Sequence, residues 1–284
     1  MGAESVVTSA ETNLRELVIR PRTGWIAIDW RELWEARELL YFLALRDIKV
    51  RYKQTVLGVA WAVLQPLFTM IIFTVIFGRF AKIPSDGLPY SVFVFAGLLP
   101  WTFFSNTVSQ ASMSLVNQQS LLTKIYLPRL FVPAASLGSG LIDLAVSFAV
   151  LAALMAYHGV GVGPGLLAVP ALVLLTAAAS LGVSLALAAL IVSYRDFRYV
   201  LPFLVQTWLY ISPVIYPVSM VPERWRPLLA VNPMAGLIDG YRSALLGAPW
   251  NPTALAISAV SSILLLLFGL YYFRKTERNF ADVA

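Results

Sequence analysis

Long apolar runs organise this chain. Six of them, at 57–78, 90–112, 130–157, 166–193, 199–217 and 253–273, are long enough to cross a bilayer, since a helical crossing takes about 20 residues at a rise of about 1.5 Å each. The fifth is the shortest and carries Pro202 and Pro213, so backbone groups freed there need neighbouring helices or polar side chains. Residues 29–49 follow a different rule. Asp29 and Glu32 form a capping box, and on a helical wheel Trp30, Leu33, Trp34, Leu40, Tyr41, Ala44 and Ile48 share one face. Arg31, Glu32, Glu35, Glu38, Arg46 and Lys49 gather on the other, with Arg37, Leu39 and Asp47 breaking the pattern. Such a helix lies in the interface plane instead of spanning. Between the last two runs, 218–252 is proline-rich, and 228–231 and 235–246 read as short helices.

Charge orients these elements. With the N-terminus inside, 16 of the 21 Lys and Arg residues fall in inside segments and 5 in outside ones, a positive-inside bias that places both termini in the cytoplasm. The expected protein is an all-α integral membrane protein with six transmembrane helices, an N-terminal amphipathic interfacial helix, and short helices in the last extracytoplasmic loop. Its parts are a cytoplasmic N-terminal region (1–56), a transmembrane domain (57–273) with a cytoplasmic loop at 113–129 and an outer loop at 218–252, and a cytoplasmic tail (274–284). The first 28 residues mix charges with short apolar pieces, so no cleavable signal peptide is expected there.

Composition narrows the function. Apolar residues make up 59% and charged ones 13%, against roughly 45–50% and 25% in soluble domains. There is no Cys, and His158 is the one His, which excludes thiolate and multi-His metal centres and a Cys nucleophile. The net charge of +6 reads as membrane topology and not as a nucleic-acid partner. No G-x-x-x-x-G-K-[ST] loop, H-E-x-x-H or G-x-S-x-G motif occurs, so no catalytic, cofactor or metal residue is expected on this chain.

A few residues resist the lipid-solvent rule. Asp143 is an acid well inside the third span. An ionisable group at that depth is either functional or locked by a partner. For the second account, Ser136, Ser139 and Gly140 permit close packing, with the small residues of the fourth span (Ala179, Ser180, Gly182, Ser184) as a candidate surface. Trp61, Gln65 and Phe68 recur at i, i+4 and i+7 on the first span, and Gln206, Trp208 and Tyr210 cluster on the fifth. Amides among rings suit a hydrated passage where rings stack on sugars. Interhelical hydrogen bonds with rings packed in protein are the competing account. Arg46, Lys49, Arg51, Lys53, Arg195 and Arg198 flank the inner ends of spans, and suit the phosphates of lipid headgroups at that interface.

Five motifs carry a resemblance. They are YKQTVLGVAWAVLQP at 52–66, LTKIYLP at 122–128, YRD at 194–196, SPVIYP at 212–217, and NPM at 232–234 with Tyr241 and Arg242. Together, in order and on matching topology, they resemble the permease subunit of polysaccharide-exporting ABC transporters, from about residue 30 to the C-terminus. The resemblance implies a bacterial cytoplasmic-membrane protein that pairs with a second copy of itself and with two ABC ATPase subunits. ATP and Mg would reside on those partners, and the cargo would be a lipid-linked glycan such as an O-antigen, capsule or teichoic-acid polymer. It also implies that 117–126 is a coupling helix, with Gln118, Leu121, Leu122, Lys124 and Tyr126 facing the ATPase. Another lipid or drug as cargo, an ATP-independent flippase or channel, and an enzyme acting on a lipid-linked sugar are the alternatives. The last would need grouped acids, and Asp196, Glu223 and Asp239 are not grouped in sequence.

Overall fold

The computed structural model describes residues 30–53, 58–122 and 127–277. Among them every regular element is helical. Two helices precede the bundle, α1 (Trp30–Glu35) and α2 (Arg37–Lys53). The bundle consists of α3 (Gly58–Phe73), which continues as a π-helical turn over Thr74–Phe80, then α4 (Tyr90–Asn117), α6 (Phe131–His158), α7 (Val169–Ser193), α8 (Phe197–Ile211) and α11 (Pro252–Glu277). Short helices α5 (Gln119–Leu122), α9 (Arg226–Val231) and α10 (Pro233–Leu246) sit at its ends. Five stretches are long and apolar enough to cross a membrane: Ala60–Phe80, Tyr90–Asn117, Phe131–His158, Leu166–Ser193 and Pro252–Glu277. They match five of the six expected spans to within a few residues. The fifth expected span forms only the 15-residue α8.

Hydrogen bonds between helix ends define two ends of the bundle. At the lower end, Arg46 of α2 reaches Gln118 after α4 (2.6 Å), and Arg129 before α6 reaches the Glu277 carbonyl of α11 (2.9 Å). At the upper end, Ser91 of α4 meets His158 of α6 (3.0 Å), and the Tyr90 hydroxyl donates to the Ile215 carbonyl (2.7 Å).

The centre is α4, where every residue from Val92 to Trp101 is buried. A helix apolar on all sides has to be surrounded, and α3, α6, α7, α8 and α10 surround it. By contrast α3 leaves Trp61, Phe68, Ile71 and Ile72 exposed. The closest crossing joins α7 to α11. A Cβ on Gly269 would lie 2.1 Å from the Gly182 carbonyl oxygen, the close backbone approach that small residues permit between membrane helices. Gly182 of the fourth span thus serves α11. On Asp143's helix, Gly140 meets Thr107 and Phe103 of α4, and Gly138 meets Ala44 of α2; α7 also touches that helix.

The N-terminal segment is interrupted at Ala36, where the Leu39 amide bonds the Ala36 carbonyl (2.9 Å). Of the wheel's apolar face, Leu33, Leu40 and Ala44 pack on the bundle while Trp34 and Tyr41 are exposed. Leu43, only 5% exposed, packs with Leu130, Phe131, Val132 and Ala135.

Candidate functional site

Two clusters of polar groups sit among these apolar helices. The first is a cleft of about 310 Å³ between α3, α4 and α6, closed below by the end of α2. Asp143 is on its wall. Arg51 Nη2 lies 2.8 Å from Asp143 Oδ2, and the Tyr52 hydroxyl donates to Oδ1. Asp143 is 9% exposed, whereas the Arg51 side chain is 32% exposed on the cleft side. Burial, then the bond to Asp143, pushes the Tyr52 hydroxyl up to about 12, so it stays a donor at neutral pH. Trp61 and Gln65 of α3 line the mouth, Thr102 and Asn106 of α4 the back, and Ser147 the wall one turn above Asp143.

The depth of the cleft follows from helix rise. Asp143 is 15 residues from His158, about 22 Å below the upper end at about 1.5 Å per residue. Asn106 is 16 residues from Tyr90, at about the same level. Measured from the other ends, Asp143 is about 18 Å above Phe131 and Asn106 about 16 Å above Asn117, so the cleft sits near the middle of both helices.

The lower end also joins two segments that are far apart in sequence. Arg46 bonds both Asp47 (2.8 Å) and Gln118 (2.6 Å), which fastens α2 to the start of the 117–126 loop. Asn117, Gln119 and Ser120 are exposed beside that tie. Lys124 and Tyr126 lie outside the described residues, as do the side chains of Lys53, Leu121 and Leu122. Lys49 is exposed on α2, and Arg195 and Arg198 are exposed at the start of α8.

A groove between α4 and α8 holds Gln206 and Arg198 with Ser105, Ser109 and Met113. Trp101 of α4 and Leu201, Val205 and Leu209 of α8 also line it. The aromatic set of the fifth span divides here. Tyr210 is exposed, whereas Trp208 turns inward, edge-on to Phe104 at 5.0 Å between centroids. Its indole donates to Asn232 Oδ1 (2.9 Å). Residues two apart on a helix face opposite ways, so Gln206 and Trp208 do not share a surface. On α3, Trp61 and Gln65 do share the cleft, and Phe68 is exposed outside its lining.

The second cluster is a knot at the upper end. Arg242 of α10 is 3% exposed and donates to the carbonyls of Pro213 (2.7 Å), Val214 (2.8 Å) and Phe93 (3.3 Å). Its guanidinium lies 3.6 Å from the Phe93 ring centroid. Burial pulls its pKa down to about 9, against the pull of Asp239 and Asp86, so it is charged at neutral pH. Asn232 caps α10 by accepting from the Met234 amide (3.1 Å) and donates to Ser212 Oγ (2.9 Å). The 212–217, 232–234 and 241–242 motifs are therefore one structure. Gly97 is part of it, since a Cβ there would meet Arg242 Nη2 at 2.7 Å.

Sequence reasoning singled out Asp143, Arg51 and the Trp61–Gln65 face separately, and the structure brings them together. It missed Thr102, Asn106 and Ser147. The available signal was spacing: Thr102 and Asn106 are i, i+4 on one helix, and Ser147 is four after Asp143.

Comparison with known proteins adds the lineage of the chain. The ABC-2 type transporter family matches residues 38–246. An O-antigen export system permease protein RfbA of Myxococcus xanthus is 30% identical over 256 residues, covering 89% of this chain and 97% of that protein. A Klebsiella pneumoniae protein of the same name is 26% identical over 250 residues, 87% of this chain and 95% of that one. The polysialic acid transport protein KpsM of Escherichia coli is 26% identical over 238 residues, 83% and 92% of the two chains.

Proposed function

This chain belongs to the ABC-2 type transporter family, and from that premise we propose that it is the permease of an exporter carrying a lipid-linked polysaccharide across the bacterial cytoplasmic membrane. ATP hydrolysis on a separate subunit drives the movement. The names of the relatives support the cargo class: they are O-antigen export permeases and a polysialic acid transport protein.

The observation that carries the reading is the tie between Arg46 and Gln118. It combines α2 and the 117–122 segment into one surface, as a helix inserted into a partner's groove requires. Two ATPase subunits dock there, one on each copy of a permease dimer. The lower end is cytoplasmic, in keeping with the positive-inside bias. Parity supports six crossings in this reading: α7 and α11 both end at the lower end, yet α11 starts at the upper end, which favours one more crossing between Ser193 and Pro252. α8 makes that crossing, and the Ser212–Tyr216 turn completes it. Both termini are then cytoplasmic, and α2 lies at the lower interface. The exposed faces of α3 and α8, with Trp61, Gln65, Gln206 and Tyr210, line the pathway near the dimer axis. Arg195, Arg198 and Lys49 draw lipid phosphates toward the lower end.

The test is deletion of the gene in its native host. The expected result is loss of one surface polysaccharide with accumulation of its lipid-linked form inside, restored by the intact gene. Unchanged surface glycan and no intracellular accumulation would refute the reading.

A further inference from the structure

The Arg51–Asp143 pair combines two features that a structural salt bridge does not need. One partner is almost buried and the other is a third exposed to a cleft. Two amides line the same cleft, and neither Gln65 nor Asn106 makes a side-chain hydrogen bond among the described residues, although both lie at membrane depth. An amide without a partner in hydrocarbon is costly. A cleft that gathers a guanidinium, two amides and an exposed indole has the donors of a phosphate site and the flat apolar face of a sugar site; the hydroxyls of Thr102 and Ser147 already donate to backbone carbonyls. Asp143 already occupies the guanidinium, as an anion would. It also has a second donor, Tyr52, that does not depend on Arg51.

We propose that Asp143 is an exchangeable internal counter-ion: it holds Arg51 in the empty cleft and yields it to the phosphate of a sugar-bearing lipid headgroup that enters from the lower leaflet past Trp61. No covalent bond changes. The incoming phosphate takes the guanidinium, the Asp143 carboxylate keeps the Tyr52 hydroxyl, and Gln65 and Asn106 donate to phosphate or sugar oxygens. The pair thereby screens for cargo, because a neutral lipid offers nothing to displace a carboxylate. This deepens the export reading by assigning a site to the charged junction of its substrate.

The test measures binding alone, with no ATP and no transport, so its failure is separate from failure of the export reading. The permease in phosphatidylcholine nanodiscs is titrated with polyprenyl diphosphate-linked N-acetylglucosamine, and lipid adducts are counted by native mass spectrometry. Polyprenol and inorganic phosphate are the comparison ligands. R51Q should weaken binding by about tenfold or more, as loss of a charge-assisted hydrogen bond does. D143N keeps the site but removes the competitor and should tighten binding about three- to tenfold, since the competent state is no longer only partly populated. Y52F leaves the carboxylate with Arg51 alone and should weaken binding, an arm that stands even where D143N fails to fold. Polyprenol should not bind the cleft, and inorganic phosphate should compete poorly. Binding by D143N no tighter than wild type, or unchanged binding in Y52F, would overturn the counter-ion role. Inorganic phosphate binding as well as the lipid-linked form would overturn the headgroup assignment.

Discussion

Two arginines at opposite ends of the bundle solve the problem of a charge among apolar helices in different ways. Arg242 is enclosed, and each of its three side-chain nitrogens donates to a backbone carbonyl of a neighbouring segment. Arg51 is a third exposed at a cleft and pairs with a carboxylate that has another donor available. Carbonyls in a packed turn cannot leave, so the first arrangement fixes structure. A carboxylate with an alternative partner can, so the second can exchange. The difference lies less in burial than in whether the acceptor has somewhere else to go.

Mutations can break or sharpen that contrast. The largest effect is expected at the knot. Arg242→Ala leaves the Pro213 and Val214 carbonyls buried without donors and should cost about 3–5 kcal/mol, read as a lowered melting temperature in detergent. Arg242→Lys should recover only part, because an ammonium lacks the planar fork. Next come the tryptophans. Trp208→Ala loses its packing on Phe104 and its bond to Asn232 and should cost about 2–3 kcal/mol. Trp61→Ala, at an exposed cleft mouth, should stay within about 0.5 kcal/mol of wild type yet reduce glycan export. Equal destabilisation by both would erase the division between packed and lining rings. Asn232→Ala, which removes a cap and two side-chain bonds, should cost about 1–2 kcal/mol in the same melt. The smallest effect is expected for Asp143→Asn, below about 1 kcal/mol, because the amide still accepts from Tyr52 and the lost ion pair is part-exposed. A loss as large as that of Arg242→Ala would make the two arginines alike.

Much of this molecule is legible in its sequence, and the exceptions have physical causes. Lipid forces each crossing to be a continuous apolar helix, so five spans can be placed from hydropathy alone. α8 was the weak one for the same reason: it is 15 residues long and ends in a proline turn at 212–217 that Arg242 and Asn232 satisfy, and side-chain support from elsewhere in the chain has no hydropathy signature. The wheel for 29–49 holds in part: Leu33, Leu40 and Ala44 of its apolar face pack on the bundle, but an interruption at Ala36 leaves no trace in hydropathy. Asp143 announced itself, but its partners did not, since Arg51 and Tyr52 lie some 90 positions away and pairing at that distance leaves no periodic trace. The division between Gln206 and Trp208 was available from spacing, as two residues on a helix face apart.

The central claim is that the lower end couples a lipid-linked glycan to a partner's ATP hydrolysis. It is tested most directly by purifying the permease with its ATPase, reconstituting the complex in nanodiscs, and measuring ATP hydrolysis as lipid-linked glycan is added. Hydrolysis should rise with glycan in the wild type. In Leu122→Pro, which breaks α5, the rise should vanish while the melting temperature is kept. Hydrolysis indifferent to glycan, or a Leu122→Pro complex as responsive as the wild type, would contradict the account.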